Sequence, residues 1–216
     1  MMMGDATAAS HDAASVSHLE LTGAVLAGGH SSRFGSNKAL FAPDGETLIS
    51  KAADLLHPLV REVLVSASHA NAEAYAFLGL DIVEDLHPDC GPLGGLEALL
   101  DRCTTPWLLI LTCDMPYVNS DALWTMIRHA QQSDDSFKQG TLPQALVWQQ
   151  NDGSVSPFPM LIERRALPVL RSRMSAGRRS MKDLLGALDT YYIIAPSDRL
   201  LSNINRPEDW SKPAVR

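Results

Sequence analysis

The 216-residue sequence contains little cysteine. It has only Cys90, Cys103 and Cys113, and no two of them form a C-x-x-C pair. This pattern argues against a disulfide scaffold and against a zinc site, and it fits a reducing compartment. The seven histidines form no close pair with the spacing of metal ligands. We therefore expect a cytoplasmic protein with reduced thiols.

The sequence also lacks an excess of positive charge and long apolar runs. It has 18 Lys and Arg against 25 Asp and Glu, a net charge of -7. Nucleic-acid binding relies on a broad basic face, so we expect no nucleic-acid partner. We likewise expect no signal peptide and no membrane partner. The small and polar residues 1–20 are predicted to form a disordered tail, and residues 21–212 a single domain.

Apolar runs do occur, and they alternate with segments of helical periodicity. The predicted strands are Thr22–Ala27, Val63–Ala67, Asp81–Glu84, Trp107–Cys113, Ala145–Trp148, Pro159–Ile162 and Tyr191–Ala195. The predicted helices are 48–59, 71–78 with Gly79 as its stop, 92–103, 121–132 with Ser120 as N-cap, 166–174 and 181–188. The turn-rich residues 133–160 are interpreted as a loop and hairpin insertion.

This alternation predicts an α/β fold with three layers and a mostly parallel sheet. Ligands of such sheets bind outside the carboxyl ends of the strands. The functional residues are therefore expected where predicted strands end.

The stretch LAGGHSSRFGSNKAL, residues 26–40, follows the first predicted strand. Its spacing matches neither the P-loop nor the dinucleotide G-x-G-x-x-G motif, in which position 30 would be glycine rather than histidine. Gly28 and Gly29 would let a triphosphate approach backbone N–H groups, while Arg33 and Lys38 would hold its charge. The alternative is an ordinary strand-to-helix turn with solvated charges.

Two carboxylates follow other predicted strands. Asp114 comes directly after a continuous apolar run, where a carboxylate needs solvent, a partner or a metal, and Mg²⁺ bridging phosphate oxygens is the natural partner. A turn or cap aspartate is the alternative. Asp85 precedes Gly91-Pro-Leu-Gly-Gly95, which again places glycines at a helix start. Cations, carboxylates and backbone donors at one sheet edge favour nucleotidyl transfer.

LAGGHSSRFGSNKAL, EDLHPDCGPLGGL and LTCDMPY together resemble the molybdenum cofactor guanylyltransferases, from about Thr22 to Asp121 and weakly to Trp210. The resemblance implies a Rossmann-like nucleotidyltransferase fold for the single domain. It also implies transfer of GMP from GTP to molybdopterin-bound molybdenum cofactor, with release of pyrophosphate. Molybdoenzyme apoproteins or cofactor-insertion proteins are the further partners it implies.

The resemblance also implies roles for individual residues. Arg33, Lys38 and Asp114 would be catalytic, and Asp114 would bind the Mg²⁺ cofactor. The nucleotide would be held by Leu26, Ala27, Gly28, Lys38, Ser66, Asp85 and Asp114. Arg178, Arg179 and Asn205 are candidates for the acceptor edge of the site. For the two arginines the alternative is a solvated helix end, and for Asn205 a cap of the last helix.

The sequence departs from the family pattern at two places. Ser66 or Ser68 stands where the family often has asparagine, and Phe158-Pro159 where it often has His-Pro. A hydroxyl could replace the amide's hydrogen bond to base or ribose. Two alternatives remain open: a CTP-dependent or other small-phosphate nucleotidyltransferase, and a nucleotide-binding delivery module without turnover.

Overall fold

The computed structural model of the protein describes residues 19–28, 34, 37–85, 87–131 and 142–211. The predicted tail therefore lies almost wholly outside the described residues, and the extent of the single domain stays a prediction. None of the helices in the described ranges has the length and apolar character needed to cross a membrane.

In the part of the chain that the structure describes, seven strands form one mixed sheet. They are β1 (Leu21–Leu26), β2 (Val63–Ala67), β3 (Asp81–Glu84), β4 (Trp107–Thr112), β5 (Ala145–Gln149), β6 (Val155–Glu163) and β7 (Thr190–Ile194). Their order across the sheet is β3-β2-β1-β4-β6-β5-β7. Only β6 runs antiparallel to its neighbours, β4 and β5; the other pairings are parallel. This confirms the predicted α/β fold with a mostly parallel sheet.

Within the described residues, six α-helices lie between the strands. They are α1 (Leu48–Leu56), α2 (His69–Ala72), α3 (Pro92–Arg102), α4 (Ser120–Gln131), α5 (Leu167–Ser175) and α6 (Met181–Ala187). Short 3₁₀ turns cover Lys38–Leu40, His57–Leu59, Glu73–Leu78, Pro88–Cys90, Arg164–Ala166, Asp198–Leu201 and Pro207–Ser211. The predicted helix 71–78 is thus one turn of α-helix followed by a 3₁₀ turn. It stops as predicted at Gly79, whose φ is 63°.

The sheet is covered on both faces. A Cβ placed on Gly23 of β1 would meet Leu56 of α1 and Val60, so this side of β1 lies against α1. Leu26, three residues along the same strand, faces the opposite side and contacts Gly95 of α3. Helices α1 and α3 therefore cover opposite faces, which gives the predicted three layers. The fully buried β4 residues Leu108, Leu109 and Ile110 lie at the centre of the sheet.

Two local predictions were wrong. The N-cap of α4 is Asn119, whose side-chain oxygen accepts from the backbone N–H of Ala122 at 3.0 Å, and Ser120 is the first helical residue. Residues 133–141 of the predicted loop and hairpin insertion lie outside the described residues. In the rest, β5 and β6 pair antiparallel as the predicted hairpin, but both strands belong to the central sheet, so the interpretation as an insertion was wrong.

Candidate active site

A cleft of ≈ 580 Å³ opens at the carboxyl ends of the central parallel strands. Leu26, Ala27 and Gly28 line it from β1, Ser66 from β2, and Thr112 and Asp114 from β4. The register explains this assembly, since Leu26 pairs with both Ser66 and Thr112. Three strands thus end side by side, and the residues that follow them share one edge of the sheet.

The centre of the cleft is an ion pair between Lys38 and Asp114. The Lys38 Nζ donates to Asp114 Oδ2 at 2.7 Å and to the backbone oxygen of Ile204 at 3.1 Å. Ile204 in turn donates its backbone N–H to the Asp114 carbonyl oxygen at 2.8 Å. The pair therefore joins three parts of the chain that are far apart in sequence. Both side chains are mostly buried, so their charges face the cleft with little solvent screening.

The second carboxylate oxygen of Asp114 marks the point of the cleft that best suits a cation. Asp114 Oδ1 is buried and has no hydrogen-bond partner among the described residues. Buried charged oxygens are ordinarily satisfied, and a hard cation such as Mg²⁺ would satisfy this one. Within the described ranges, no three acidic, histidine or cysteine side chains cluster into a complete metal site. The geometry fits a metal held by one carboxylate together with substrate phosphates and water.

Gly28 provides open space beside this pair. A Cβ built on Gly28 would meet only the backbone nitrogen of Ser68, at 3.8 Å, which is ordinary contact. The described residues thus leave room in front of Gly28 for a ligand to approach the backbone, as expected for a phosphate-binding strand end.

One side of the cleft is built from Ser66, Asp85 and the start of α3. Asp85 follows β3, its backbone N–H donates to the Ala67 oxygen at 2.9 Å, and its Oδ1 accepts from the His87 N–H at 2.7 Å. The Ser66 hydroxyl is fully buried and has no hydrogen-bond partner among the described residues. This side offers a carboxylate and an unpaired hydroxyl, the groups that recognise a ribose or a base.

The glycines of α3 are needed for this side of the cleft. A Cβ on Gly95 would lie 2.6 Å from Ser66 Oγ and 2.8 Å from Leu26 Cδ2. A Cβ on Gly94 would overlap Asp85 Oδ1 and the backbone oxygen of His87. The sequence motif Gly91-Pro-Leu-Gly-Gly95 therefore has a steric basis: it lets α3 lie directly against the two polar side chains.

The other side of the cleft is formed by β6 and the C-terminal segment. Because β6 is antiparallel to β4 and pairs Met160 with Ile110, its first half reaches the edge where β4 ends. Ser156, Pro157 and Phe158 line the cleft there, with Asn203 and Asn205 beside them. This side carries neutral amides and a hydroxyl, and it lies across Asp114 from Ser66 and Asp85.

Most of the residues predicted for the site lie in this cleft. Of the two candidate serines, Ser66 lines it and Ser68 does not. Asn205 also lines it, and the cap of the last turn is provided by Asp209, whose Oδ2 accepts from the N–H groups of Asn205 and Arg206. Arg33 and Gly29 lie outside the described residues.

The structure does not bring Arg178 and Arg179 into the cleft. Arg178 donates to Asp183 Oδ1 at 2.9 Å and Arg179 to the backbone oxygen of Asp89 at 3.3 Å. Neither residue lines the cleft, and Arg178 has a carboxylate partner of its own. Their assignment to the acceptor edge rested on neighbouring sequence alone and is not supported by this geometry.

Several cleft residues were missed by the sequence reasoning. They are Phe34, Asn37, Ser156, Pro157 and Asn203. Asn37 directly precedes Lys38 and Asn203 is two residues from Asn205, so proximity to predicted residues was the available signal. No sequence signal pointed to Ser156 and Pro157, because their position in the cleft depends on the direction of β6.

Cys113 is adjacent to Asp114 but is not a candidate nucleophile. Burial, helped by the neighbouring carboxylate charge of Asp114, raises the pKa of its thiol to about 12. The thiol therefore stays protonated at neutral pH, as the sequence analysis expected of a buried apolar cysteine.

An α/β sheet with glycine at one strand end and a lysine–carboxylate pair at the next has the architecture of a nucleotidyltransferase. The sequence profile of the MobA-like NTP transferase domain matches residues 23–191. The chain belongs to this family.

Individual relatives agree with the profile. The chain is 30% identical over 202 residues to a probable molybdenum cofactor guanylyltransferase from Chloroflexus aggregans, covering 89% of this chain and 92% of the relative. It is 33% identical over 195 residues to a molybdenum cofactor guanylyltransferase from Xanthomonas euvesicatoria, covering 88% and 93%. The recognition made from the three sequence motifs is therefore confirmed.

A solved structure supports the fold. The molybdopterin-guanine dinucleotide biosynthesis protein A from Archaeoglobus fulgidus superposes with a TM-score of 0.71 at 21% identity, covering 87% of this chain and 94% of the other. At this identity the likeness concerns the fold alone. The predicted nucleotidyltransferase fold is thus confirmed.

Proposed function

We propose that this nucleotidyltransferase moves GMP from GTP to the terminal phosphate of molybdopterin-bound molybdenum cofactor. A phosphate oxygen of the acceptor attacks the α-phosphorus of GTP, the bond from that phosphorus to the bridging oxygen breaks, and pyrophosphate leaves with the bonding electrons. The products are the guanine dinucleotide form of the cofactor and pyrophosphate. The relatives named above, which carry this activity in their names, support the choice of substrates.

The observation that carries the proposal is the pair of Lys38 and Asp114 with its unsatisfied Asp114 Oδ1. Negative charge builds up on the oxygens around the α-phosphorus and on the leaving pyrophosphate during transfer. Lys38 would contact these phosphates, and Gly28 would allow backbone N–H groups to approach them. Arg33 remains a proposed further cation for the same phosphates.

Asp114 would hold Mg²⁺ through Oδ1. When bound, the metal would neutralise phosphate charge and orient the α-phosphate. Asp114 also keeps Lys38 at the same point of the cleft, so its two oxygens serve two cations that act on one polyphosphate.

The two sides of the cleft suit the two substrates. Ser66 and Asp85 would bind the nucleoside, because they combine an unpaired hydroxyl with a carboxylate beside the glycines of α3. The Ser156–Phe158 wall and the amides of Asn203 and Asn205 would contact the acceptor. The α-phosphorus would then lie between them, next to Asp114. A cytoplasmic location and handover of the product to molybdoenzyme apoproteins or insertion proteins complete the proposal.

A nucleotide panel tests the proposal. The full chain is incubated with molybdopterin-bound molybdenum cofactor, Mg²⁺ and each of GTP, CTP, ATP and UTP, and pyrophosphate release is measured. We expect release that depends on acceptor and is highest with GTP. A preference for CTP would overturn the choice of nucleotide, and GTP binding without release would indicate a delivery module.

A further inference from the structure

A buried tyrosine lies behind the cleft. Tyr75, in the 3₁₀ turn Glu73–Leu78, is fully buried and does not line the cleft. Its hydroxyl lies 3.1 Å from Asn37 Oδ1 and 3.3 Å from the backbone oxygen of Ala27. It therefore cannot touch a substrate, but its two partners both border the cleft.

These two partners flank the glycine-rich segment. Ala27 follows β1 and leads into Gly28, while Asn37 precedes Lys38. One phenol hydroxyl thus bridges the point where the chain leaves the sheet and the point where it returns with its lysine. The backbone at Gly28 and the side chain of Lys38 both border the cleft.

The side chain of Asn37 is held in one orientation. Its Oδ1 accepts from the backbone N–H of Ala39 at 3.1 Å and so caps the turn that carries Lys38. Its Nδ2 donates to Asn71 Oδ1 at 3.3 Å. The opposite amide orientation would place Nδ2 against the Ala39 N–H, two donors together, so the bond from Ala39 fixes the amide and leaves Oδ1 facing the phenol. The one phenol proton is shared between Asn37 Oδ1 and the Ala27 oxygen.

The phenol remains a donor over the working pH range. Burial raises the pKa of Tyr75 to about 12, so the hydroxyl keeps its proton at neutral pH.

We infer that Tyr75 is a positioning residue that, through Asn37, fixes Lys38 relative to the backbone at Gly28. This inference rests on the proposed function, because it assumes that these two groups hold one polyphosphate. A shift of about 1 Å in one group relative to the other weakens contacts that form with the reacting phosphates. Tyr75 thus acts on the reaction without contacting it.

The competing explanation is that Tyr75 only stabilises the fold. Thr105 is a matched control, because its side chain carries a buried hydroxyl that forms hydrogen bonds. The hydroxyl lies 2.9 Å from Thr22 Oγ1 and 2.8 Å from the backbone oxygen of Trp107. Thr105 precedes β4 and lies at the end of the sheet away from the cleft. Tyr75→Phe and Thr105→Val each remove one buried hydroxyl and keep the side chain's shape.

The first measurement compares pyrophosphate release at varied GTP with the urea midpoint of unfolding. Both variants are expected to have a lower urea midpoint. Only Tyr75→Phe should lower kcat/KM for GTP, by roughly tenfold, while Thr105→Val stays within about twofold of the wild type. Unchanged kcat/KM in Tyr75→Phe would overturn the inference.

The second measurement asks whether Tyr75 acts through Lys38. In a Lys38→Ala background, Tyr75→Phe should produce little further loss of kcat/KM, since the positioned group is already gone. A full additional tenfold loss would contradict the proposed route. Asn37→Ser provides a second variant, because serine can still cap the turn but is too short to reach Tyr75. It should reproduce the Tyr75→Phe loss, and an unaltered kcat/KM would count against the inference.

Failure of the proposed function is distinguishable from failure of this inference. If the wild type releases no pyrophosphate from GTP, the guanylyl assignment fails, and calorimetry then identifies which of GTP, CTP, ATP and UTP the wild type binds. The same variants are compared by their Kd for that nucleotide. Tyr75→Phe should then weaken that Kd and Thr105→Val should not. Equal Kd values for Tyr75→Phe and the wild type would overturn the positioning role.

Discussion

The two carboxylate oxygens of Asp114 lie in different environments. Oδ2 is paired with Lys38 at 2.7 Å, while Oδ1 is buried without a partner among the described residues. A partly buried ion pair with an unsatisfied oxygen is a poor source of stability, because desolvation offsets much of the attraction. The pair is therefore better explained by the proposed reaction than by the fold.

We predict that Asp114→Asn lowers pyrophosphate release at least roughly 100-fold, because the amide keeps the shape but loses the charge that would hold Mg²⁺ and Lys38. Release is measured at saturating GTP and acceptor. The matched control is Asp101→Asn, since Asp101 pairs with Arg171 at the same 2.7 Å but on an exposed surface. The control should keep its activity and lose less than about 1 kcal/mol of stability. Turnover near the wild-type rate in Asp114→Asn would refute the assigned role.

Magnesium removal tests the same site without a substitution. We predict that EDTA abolishes pyrophosphate release and that added Mg²⁺ restores it, because the Lys38 ammonium alone cannot neutralise a triphosphate beside the negative charge of Asp114. Circular dichroism should be unchanged by EDTA, since the described residues show no metal site that supports the fold. Release that persists in EDTA would contradict the proposed metal.

At the scale of secondary-structure elements, the contact of α3 with the sheet edge decides the shape of the side of the cleft that carries Ser66 and Asp85. Gly95 lets the helix lie against Ser66 and Leu26, and a larger residue there would have to displace one of these two side chains or the helix. The element is thus specialised on the face that borders the cleft, while Leu96, Leu99 and Leu100 bury the rest of it in the core.

We predict that Gly95→Ala lowers the free energy of unfolding by roughly 1–3 kcal/mol, because the new methyl would lie 2.6 Å from Ser66 Oγ. Gly186→Ala in α6 is the control: its Cβ would have no neighbour within 4 Å, and alanine favours a helix by up to about 1 kcal/mol. Urea unfolding measures both. Equal stability of the two variants would show that α3 can move away at little cost.

For the whole molecule, local sequence signals predicted the parts of the site that follow parallel strands. Asp114 was predicted as a site residue because the apolar run before it indicates strand β4. A carboxylate at the end of that strand must lie at the sheet edge. The contribution of Ser156, Pro157 and Phe158 to the cleft was not predicted. Their position depends on the antiparallel pairing of Met160 with Ile110, two residues 50 positions apart. Arg178 was assigned to the site from its neighbouring arginine and the following helix. Its partner is Asp183, five positions along the chain, and neither residue lines the cleft.

The buried ionisable groups make stability of the whole chain depend on alkaline pH. The thiol of Cys113 has its pKa raised by burial from 9.0 to about 12. Above pH 9 the unfolded chain loses this proton while the folded chain keeps it, so the free energy of unfolding should fall between pH 9 and 12. This fall in the free energy of unfolding is at most about 1.4 kcal/mol per pH unit. Urea midpoints at pH 7.5, 9 and 10.5 in reducing buffer should fall more steeply for the wild type than for Cys113→Ala. Parallel pH profiles would show that the thiol ionises as readily in the folded protein as in the unfolded chain.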